Sequence, residues 1–403
     1  MRATGPGDVR ALIELDATAF GWGPVEDSHV EAEREILAGG RGLLAFEGRT
    51  AVGSAVAFDM ALTVPGPRSV EVAAVSFVAV LPTHRRRGVL TGLMRAQLEE
   101  MHERGVLAAI LYASETPIYG RYGYGVATWE SRLEIERARA RFVRPAAPGA
   151  HLRHVPKDGA AAVMAPLWDR VRRTRPGMVG VGPQWWREMI ADETLWREGM
   201  TEPRFVACEV GGEEGCLVHR LKADWTDGQP AGRLEVLHLV ATGDSAYAAL
   251  WRFCLEMDLV STVVARRRPP SEPLRLLLAD ARAVRAVSDD GLWLRLVDVP
   301  GALEARGYEG EGTLILAVRD PFCPWNEGVY ELRVEAGRAS CRPTQAGPQV
   351  AAGADALGAV YLGGNPVSDL AVAGGFTELA AGGLARAGQI FKSTSPPWSA
   401  FGF

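Results

Sequence analysis

The chain has 403 residues, 47% of them hydrophobic and 23% charged, with a formal net charge of −5 at pH 7. This length and balance describe two or three globular domains with a large core, and the acidic excess speaks against nucleic acid as a partner. The five cysteines (Cys208, Cys216, Cys254, Cys323 and Cys341) are too few and too scattered for a disulfide framework, and none stands at zinc-binding spacing.

No run of 18 apolar residues is present, and the polar start MRATGPGDVRALIELD lacks the apolar stretch of a signal peptide. The expectation is therefore a cytoplasmic protein with no membrane span and no metal. Residues 4–20 read as a helix entered through a polar turn, and residues 26–38 as a second helix charged on one side. Residues 42–46 and 51–61 alternate as strands around the Gly48-Arg49 turn.

The stretch at residues 75–100, VSFVAVLPTHRRRGVLTGLMRAQLEE, is the most informative. Its apolar beginning suits a strand buried on both faces, and Leu90, Leu93, Met94, Gln97 and Leu98 follow helical spacing. Between them lie Arg85, Arg86, Arg87 and Gly88. Free N–H groups at a helix start, the positive end of its dipole and three guanidinium groups suit a polyanion such as a pyrophosphate. A second buried strand at 106–113 runs into Ser114-Glu115-Thr116-Pro117 and then IYGRYGYG at 118–125. Residues 128–135 alternate as the last strand of the first domain.

RPAAPGA at 144–150 marks a linker. A helix at 159–172, a Trp-rich helix at 183–192 and strands at 204–209 and 216–223 follow. Residues 234–257, LEVLHLVATGDSAYAALWRFCLEM, repeat the strand, turn and helix of 77–101, with Ala241-Thr242-Gly243-Asp244 where the arginine turn stands. We read this as an internal repeat whose second copy has lost its phosphate turn. A third region opens with LWLRLVDVPGALEARGY, where Pro300 marks a short helix. Alternating segments at 312–318, 330–335 and 339–342, helical ones at 355–362 and 366–373, and the aromatic end SPPWSAFGF complete the chain. The fold class expected is α/β (α+β), with domains at 1–143, 144–290 and 291–403.

A strand, an Arg-containing turn, a helix and a parallel strand resemble the acetyl-coenzyme A site of GNAT acyltransferases. Arg85-x-x-Gly88-x-Leu90 departs from their usual motif by its bulky last residue. SFVAVLPTHRRRGVLTGLM followed by LYASETPIYGRYGYGVAT is more closely similar to the enhanced intracellular survival (Eis) family of aminoglycoside acetyltransferases, and the similarity continues through DGLWLRLVDVPGALEARGY and CRPT to the C-terminus. That resemblance implies two tandem GNAT domains, the second degenerate, then a sterol-carrier-protein-like domain, assembled as a homohexamer.

It also implies a site. The backbone of Val78, Ala79 and Val80 pairs with the pantetheine amides of acetyl-CoA as an added strand would. Arg86 and Arg87 supply charge, and Gly88, Val89, Leu90 and Thr91 supply N–H groups. Ser114 and Glu115 lie where the two parallel strands should splay to admit the thioester. Tyr119 is the acid for the leaving thiolate, and the C-terminal carboxylate, that of Phe403, is the base. Glu71 is a rival base, and Tyr122 and Tyr124 are expected to pack. Phe77 and Trp22 are placed on the amine side, with Glu26 and Asp27 as nearby acid. Where members of that family carry an acidic residue before the terminal Phe, this chain has Gly402. The expected function is acetyl-CoA-dependent N-acetylation of aminoglycosides or similar polyamines. The alternatives are acetylation of protein lysine or another small amine, and a non-catalytic acyl-CoA- or lipid-binding protein.

Overall fold

The strand that ends in the arginine turn is longer than its apolar run. It spans Arg68–Val80 and pairs antiparallel with Thr50–Val64, from Arg68 opposite Val64 to Val80 opposite Gly53. The computed structural model describes residues 1–190, 197 and 199–403. They form two units. One holds Met1–Thr128, Asp290–Pro397 and Gly402–Phe403, and the other Trp129–Asp289 and Trp398–Phe401.

In the first unit a seven-stranded sheet runs in the order Arg2–Ala3, Gly40–Glu47, Thr50–Val64, Arg68–Val80, Ala108–Tyr112, Leu292–Leu296, Gly125–Val126. Arg68–Val80 and Ala108–Tyr112 are parallel and are joined by the helix Val89–Glu103, a βαβ crossover. The helix Val9–Phe20 buries Val9, Leu12, Ile13, Leu15 and Ala17 and packs on the two longest strands.

One expected strand belongs elsewhere. The alternating segment near residue 130 forms Trp129–Glu136, which lies in the second unit between Val284–Asp290 and Val260–Arg268. In the first sheet the neighbour of Ala108–Tyr112 is Leu292–Leu296, antiparallel from Leu292 opposite Tyr112 to Leu296 opposite Ala108. Alternation fixes which side chains face inward, not which sheet a strand joins. The burial patterns agree with the exchange: every residue of Leu292–Leu296 is buried, whereas Trp129–Glu136 alternates buried and exposed positions. The charge this places in the interior, Arg295, is neutralised by Asp320, both of whose carboxylate oxygens accept from one guanidinium nitrogen at 2.8 Å.

The C-terminal part of this unit has its own five-stranded sheet, in the order Arg338–Pro343, Gly328–Glu335, Gly312–Arg319, Val350–Gly353, Phe376–Glu378. Its helix Ala354–Tyr361 packs on Leu292–Leu296 and Gly125–Val126. Glycines permit that approach: a Cβ on Gly125 would lie 1.9 Å from the Asp355 carbonyl oxygen, and one on Gly358 would lie 2.0 Å from that of Leu294. The helix Gly383–Phe391 went unread in the sequence because GGLARAGQIF is rich in glycine, a poor helix former.

The second unit repeats the first sheet's central pattern. Gly232–Ala241 and Val260–Arg268 are parallel and are joined by the helix Asp244–Leu255. The sheet continues through Glu213–Lys222 and Arg204–Val210 to His151–Val155. The Trp-rich helix spans Pro183–Ile190; residues 191 and 192 of the expected span lie outside the described residues. At the start of the Asp244–Leu255 helix, the Glu213 carboxylate accepts from the N–H groups of Ser245 and Ala246 at 2.7 and 3.0 Å. The chain's own anion thus fills the place that a phosphate would take at such a helix start. The same unit holds Trp398, whose indole N–H donates to the Arg267 carbonyl at 2.7 Å and whose ring carries the Arg175 and Arg268 guanidinium groups 5.1 and 5.0 Å from its centroid. Phe401 packs edge-on against Trp185 and Trp168.

Two substitutions test this architecture. Gly125→Ala forces backbone apart from backbone and should destabilise the protein by ~3 kcal/mol or more, read as a fall in the thermal midpoint or loss of folded material. Glu213→Ala removes the acceptor for two helix N–H groups and should lower unfolding free energy by ~1–2 kcal/mol, measured by denaturant titration.

Candidate active site

The two parallel central strands of the first unit are paired only at Ala73 with Ala109 and Ala74 with Ile110. Beyond that point they part. Arg68–Val80 bulges, with a register slip opposite Ser54 to Val56 and Phe77 at φ 49°, and the Phe77 carbonyl accepts from the Ser54 hydroxyl at 2.8 Å. Ala108–Tyr112 keeps its pairing with Leu292–Leu296 through Tyr112. The opening gives onto a cavity of about 410 Å³.

Of the residues chosen from sequence, Val78, Ala79, Val80, Arg86, Gly88, Val89, Leu90, Thr91, Ser114, Glu115 and Tyr119 line this cavity. Ala19, Phe20, His84, Arg85, Ile118, Arg121 and Tyr122 join them. The turn owes its shape to two left-handed residues, Arg86 at φ 60° and Gly88 at φ 82°. No side chain caps the helix at Gly88, and Val89, Leu90 and Thr91, whose N–H groups have no intrahelical acceptor at a helix start, line the cavity.

Arg87, Phe77, Trp22 and Phe403 are not among the lining residues. Arg87 is turned to Glu47, donating to its carboxylate at 2.5 Å, and the other oxygen of Glu47 lies 2.8 Å from His84 Nε2. These two partners hold the Glu47 carboxyl below the usual range. Arg85 faces the cavity instead, and its guanidinium donates to the Ala19 carbonyl at 3.1 Å. Three adjacent arginines look alike in sequence; the left-handed Arg86 between them sends Arg85 and Arg87 different ways. Phe77 packs edge-on against Phe58, and Trp22 is 41% exposed and stacks on Phe20. Phe403 rests its ring 5.4 Å from that of Tyr112, two residues before Ser114. Glu71, the rival base, is exposed and, like Phe403, lies outside the lining. Asp27 pairs with Arg10, and neither it nor Glu26 reaches the lining.

Tyr119 sits at the cavity wall, 4% exposed, in a loop closed by the Tyr122 N–H donating to its carbonyl at 3.0 Å and by Gly123 at φ 82°. Burial pushes its phenol up to about 12; Asp16, Glu115 and Tyr122 push the same way, and a hydrogen bond with Ser114 opposes them. Tyr124 lies behind it, wholly buried and edge-on at 6.0 Å, as expected of a packing residue. Tyr122, also expected only to pack, reaches the cavity, where its hydroxyl lies 3.3 Å from that of Thr91.

The sequence reading missed Asp16. It occupies a core position of the helix Val9–Phe20, in register with Val9, Leu12, Ile13 and Phe20, and is 5% exposed. Burial alone pushes its carboxyl up to about 6. A carboxyl with a raised folded-state value stabilises the fold only while protonated, so this residue weighs against stability as pH rises from about 4 through 6. An acidic residue on an apolar helical face was the signal that could have drawn attention to it.

Comparison with known proteins is consistent along the chain. Residues 1–127 and 177–296 match models of the acetyltransferase (GNAT) domain, and residues 299–400 match that of the sterol carrier protein domain. An uncharacterized N-acetyltransferase of Streptomyces avermitilis is 37% identical, with 98% of this chain and 99% of that protein covered. N-acetyltransferase Eis of Mycobacterium tuberculosis is 36% identical, with 88% of this chain and 87% of that protein covered. The crystal structure of Eis1 from Mycobacterium abscessus matches over the whole of both chains with a TM-score of 0.85 and 31% identity. The chain is therefore an enzyme with tandem GNAT domains and a sterol carrier protein domain, and it belongs to the Eis family of N-acetyltransferases.

Proposed function

We propose that this enzyme transfers the acetyl group of acetyl-CoA directly to a primary amine, with aminoglycosides as the first substrate class to test. The observation that carries this reading is the convergence, in one cavity, of a parted strand edge, a cationic turn at a helix start, and a buried tyrosine. The backbone of Val78 to Val80 pairs with the pantetheine amides, as strand addition does elsewhere. The pyrophosphate lies against the N–H groups of Gly88 to Thr91 and the Arg86 guanidinium, with Arg85 and Arg121 adding charge. The thioester then reaches Ser114 and Tyr119.

The amine, having lost a proton to the Phe403 carboxylate, attacks the thioester carbon. As the tetrahedral intermediate collapses, the C–S bond breaks and Tyr119 gives its proton to sulfur. The phenol, held at about 12, is a weaker acid than a thiol near 8.5, so its proton moves as the bond breaks and not before. The nitrogen of the intermediate, still carrying two protons, gives one up as the amide forms and so restores Tyr119, and the proton taken by Phe403 passes to solvent; an ammonium ion and the thioester thus yield amide, thiol and one released proton. A singly charged acceptor, a protein lysine or another small amine, is favoured by one feature: Glu115 is the one acidic residue among those lining the cavity, beside Arg85, Arg86 and Arg121.

Release of free thiol from acetyl-CoA, measured against a panel of aminoglycosides, small amines and lysine peptides, tests the proposal. Tyr119→Phe should lower kcat by ~100-fold with little change in KM for acetyl-CoA. Arg86→Ala should raise that KM by ~10-fold, and Arg87→Ala by much less, because Arg87 is engaged by Glu47. Absence of thiol release with every amine, together with absence of acetyl-CoA binding, defeats the proposal. Full activity after deletion of Phe403 defeats only the role of its carboxylate.

A further inference from the structure

Asp16 is a carboxyl in an apolar setting with nothing to balance it. Its neighbours on the buried face of the helix are Leu12, Ile13 and Ala17, and among the described residues it forms no hydrogen bond or ion pair. Buried carboxylates without a counter-ion are rare because the loss of hydration is not repaid. Its position is not that of an ordinary core residue either. Ala19 and Phe20, one helical turn further on and on the same side of the helix, line the cavity, and the Arg85 guanidinium is bonded to the Ala19 carbonyl. The charge of Asp16 is felt at the Tyr119 phenol, on the opposing loop. It thus lies one helical turn from two lining residues and within electrostatic reach of the buried phenol.

We propose that Asp16 is a specificity-determining residue on the amine side, the counter-charge for the ammonium group of the acceptor, reached directly or across one water molecule beside Ala19 and Phe20. This rests on the acetyl-transfer reading given above. The reaction itself brings the missing partner: an aliphatic amine arrives as a cation and must stop within a few ångströms of Tyr119 for transfer to occur. The lining arginines repel it and Glu115 attracts it, so a second, buried anion at that end gives the acceptor a definite place. The retained cost in stability also fits, since a group kept against stability is characteristic of a functional position.

The test uses the full chain and three variants, Asp16→Asn, Asp16→Glu and Tyr119→Phe, assayed by thiol release with a primary aliphatic amine and with an aromatic amine, which is uncharged at neutral pH. Asp16→Asn should raise KM for the aliphatic amine by about tenfold or more. It should leave KM for acetyl-CoA and KM for the aromatic amine within about twofold, because neither depends on an ammonium contact. Asp16→Glu should recover part of the loss. The folded state of Asp16→Asn should melt no lower than that of the parent protein at pH 7.5, since the change removes an unbalanced charge and keeps the shape; a purely structural Asp16 would give the opposite sign. Equal losses with both amines, or an unchanged KM for the aliphatic amine, overturns the proposal. If the parent protein releases no thiol with any amine, the acetyl-transfer reading fails; if it is active, Tyr119→Phe is impaired and Asp16→Asn is not, this inference alone fails.

Discussion

The first unit depends on a pair of parallel strands that hold together for two residues and then separate. Parallel strands in a covered sheet ordinarily stay paired, because every unpaired amide in the interior carries a cost. Here the separation is sustained from both sides. The bulge at Phe77 turns one strand away, and Ser54 satisfies the carbonyl left over. Leu292–Leu296 holds the other along its whole length and brings Arg295 with it, neutralised in place by Asp320. The strand edge exposed between them borders the cavity, and the turn, the tyrosine loop and the end of the first helix are disposed around it.

The two repeats show one arrangement of backbone put to two electrostatic ends. Each has a strand, a turn and a helix leading to a parallel neighbour, and each therefore presents bare N–H groups and the positive end of a dipole at the helix start. In the first, a left-handed glycine and cationic side chains leave that place to an incoming anion. In the second, Gly243 lets Glu213 approach so closely that a Cβ would lie 2.3 Å from its carboxyl carbon, and the internal carboxylate takes the bonds. Loss of ligand binding in a duplicated domain need not destabilise it when an acidic side chain inherits the same hydrogen bonds.

Most of the helices and strands, the repeat and the cavity's position were legible in the sequence, because each rests on local periodicity or on motifs whose chemistry is read in order along the chain. What was not legible depends on pairing at a distance. Trp129–Glu136 has the right alternation and the wrong sheet, since alternation carries no information about the partner strand. Arg85 and Arg87 differ only in how a left-handed residue between them aims the chain. Tyr122 was read as packing, and it packs, but its hydroxyl also reaches the cavity, within hydrogen-bond distance of that of Thr91. Asp16 was passed over as one acidic residue in a helix, although its place in the apolar register marked it. The docking of the C-terminal aromatics was readable from their composition, whereas the contact of Phe403 with Tyr112 required the fold.

The charges around the cavity suggest how the two halves of the reaction are coupled in the proposed reading. The lining arginines suit the phosphates of the donor, and the carboxyls of Glu115, in the lining, and of Asp16, behind Ala19 and Phe20, suit a cationic acceptor. Before the acceptor arrives, burial holds the Tyr119 phenol up, and both carboxyls add to that effect. An ammonium group seated between them offsets that field, so the phenol becomes a stronger acid as the site fills. Hydrolysis of the thioester by water gains no such help, because water brings no charge. The same buried anion that selects the amine would thereby hold back proton donation until the amine is present, which ties specificity to chemistry through one electrostatic field and without any movement of the backbone.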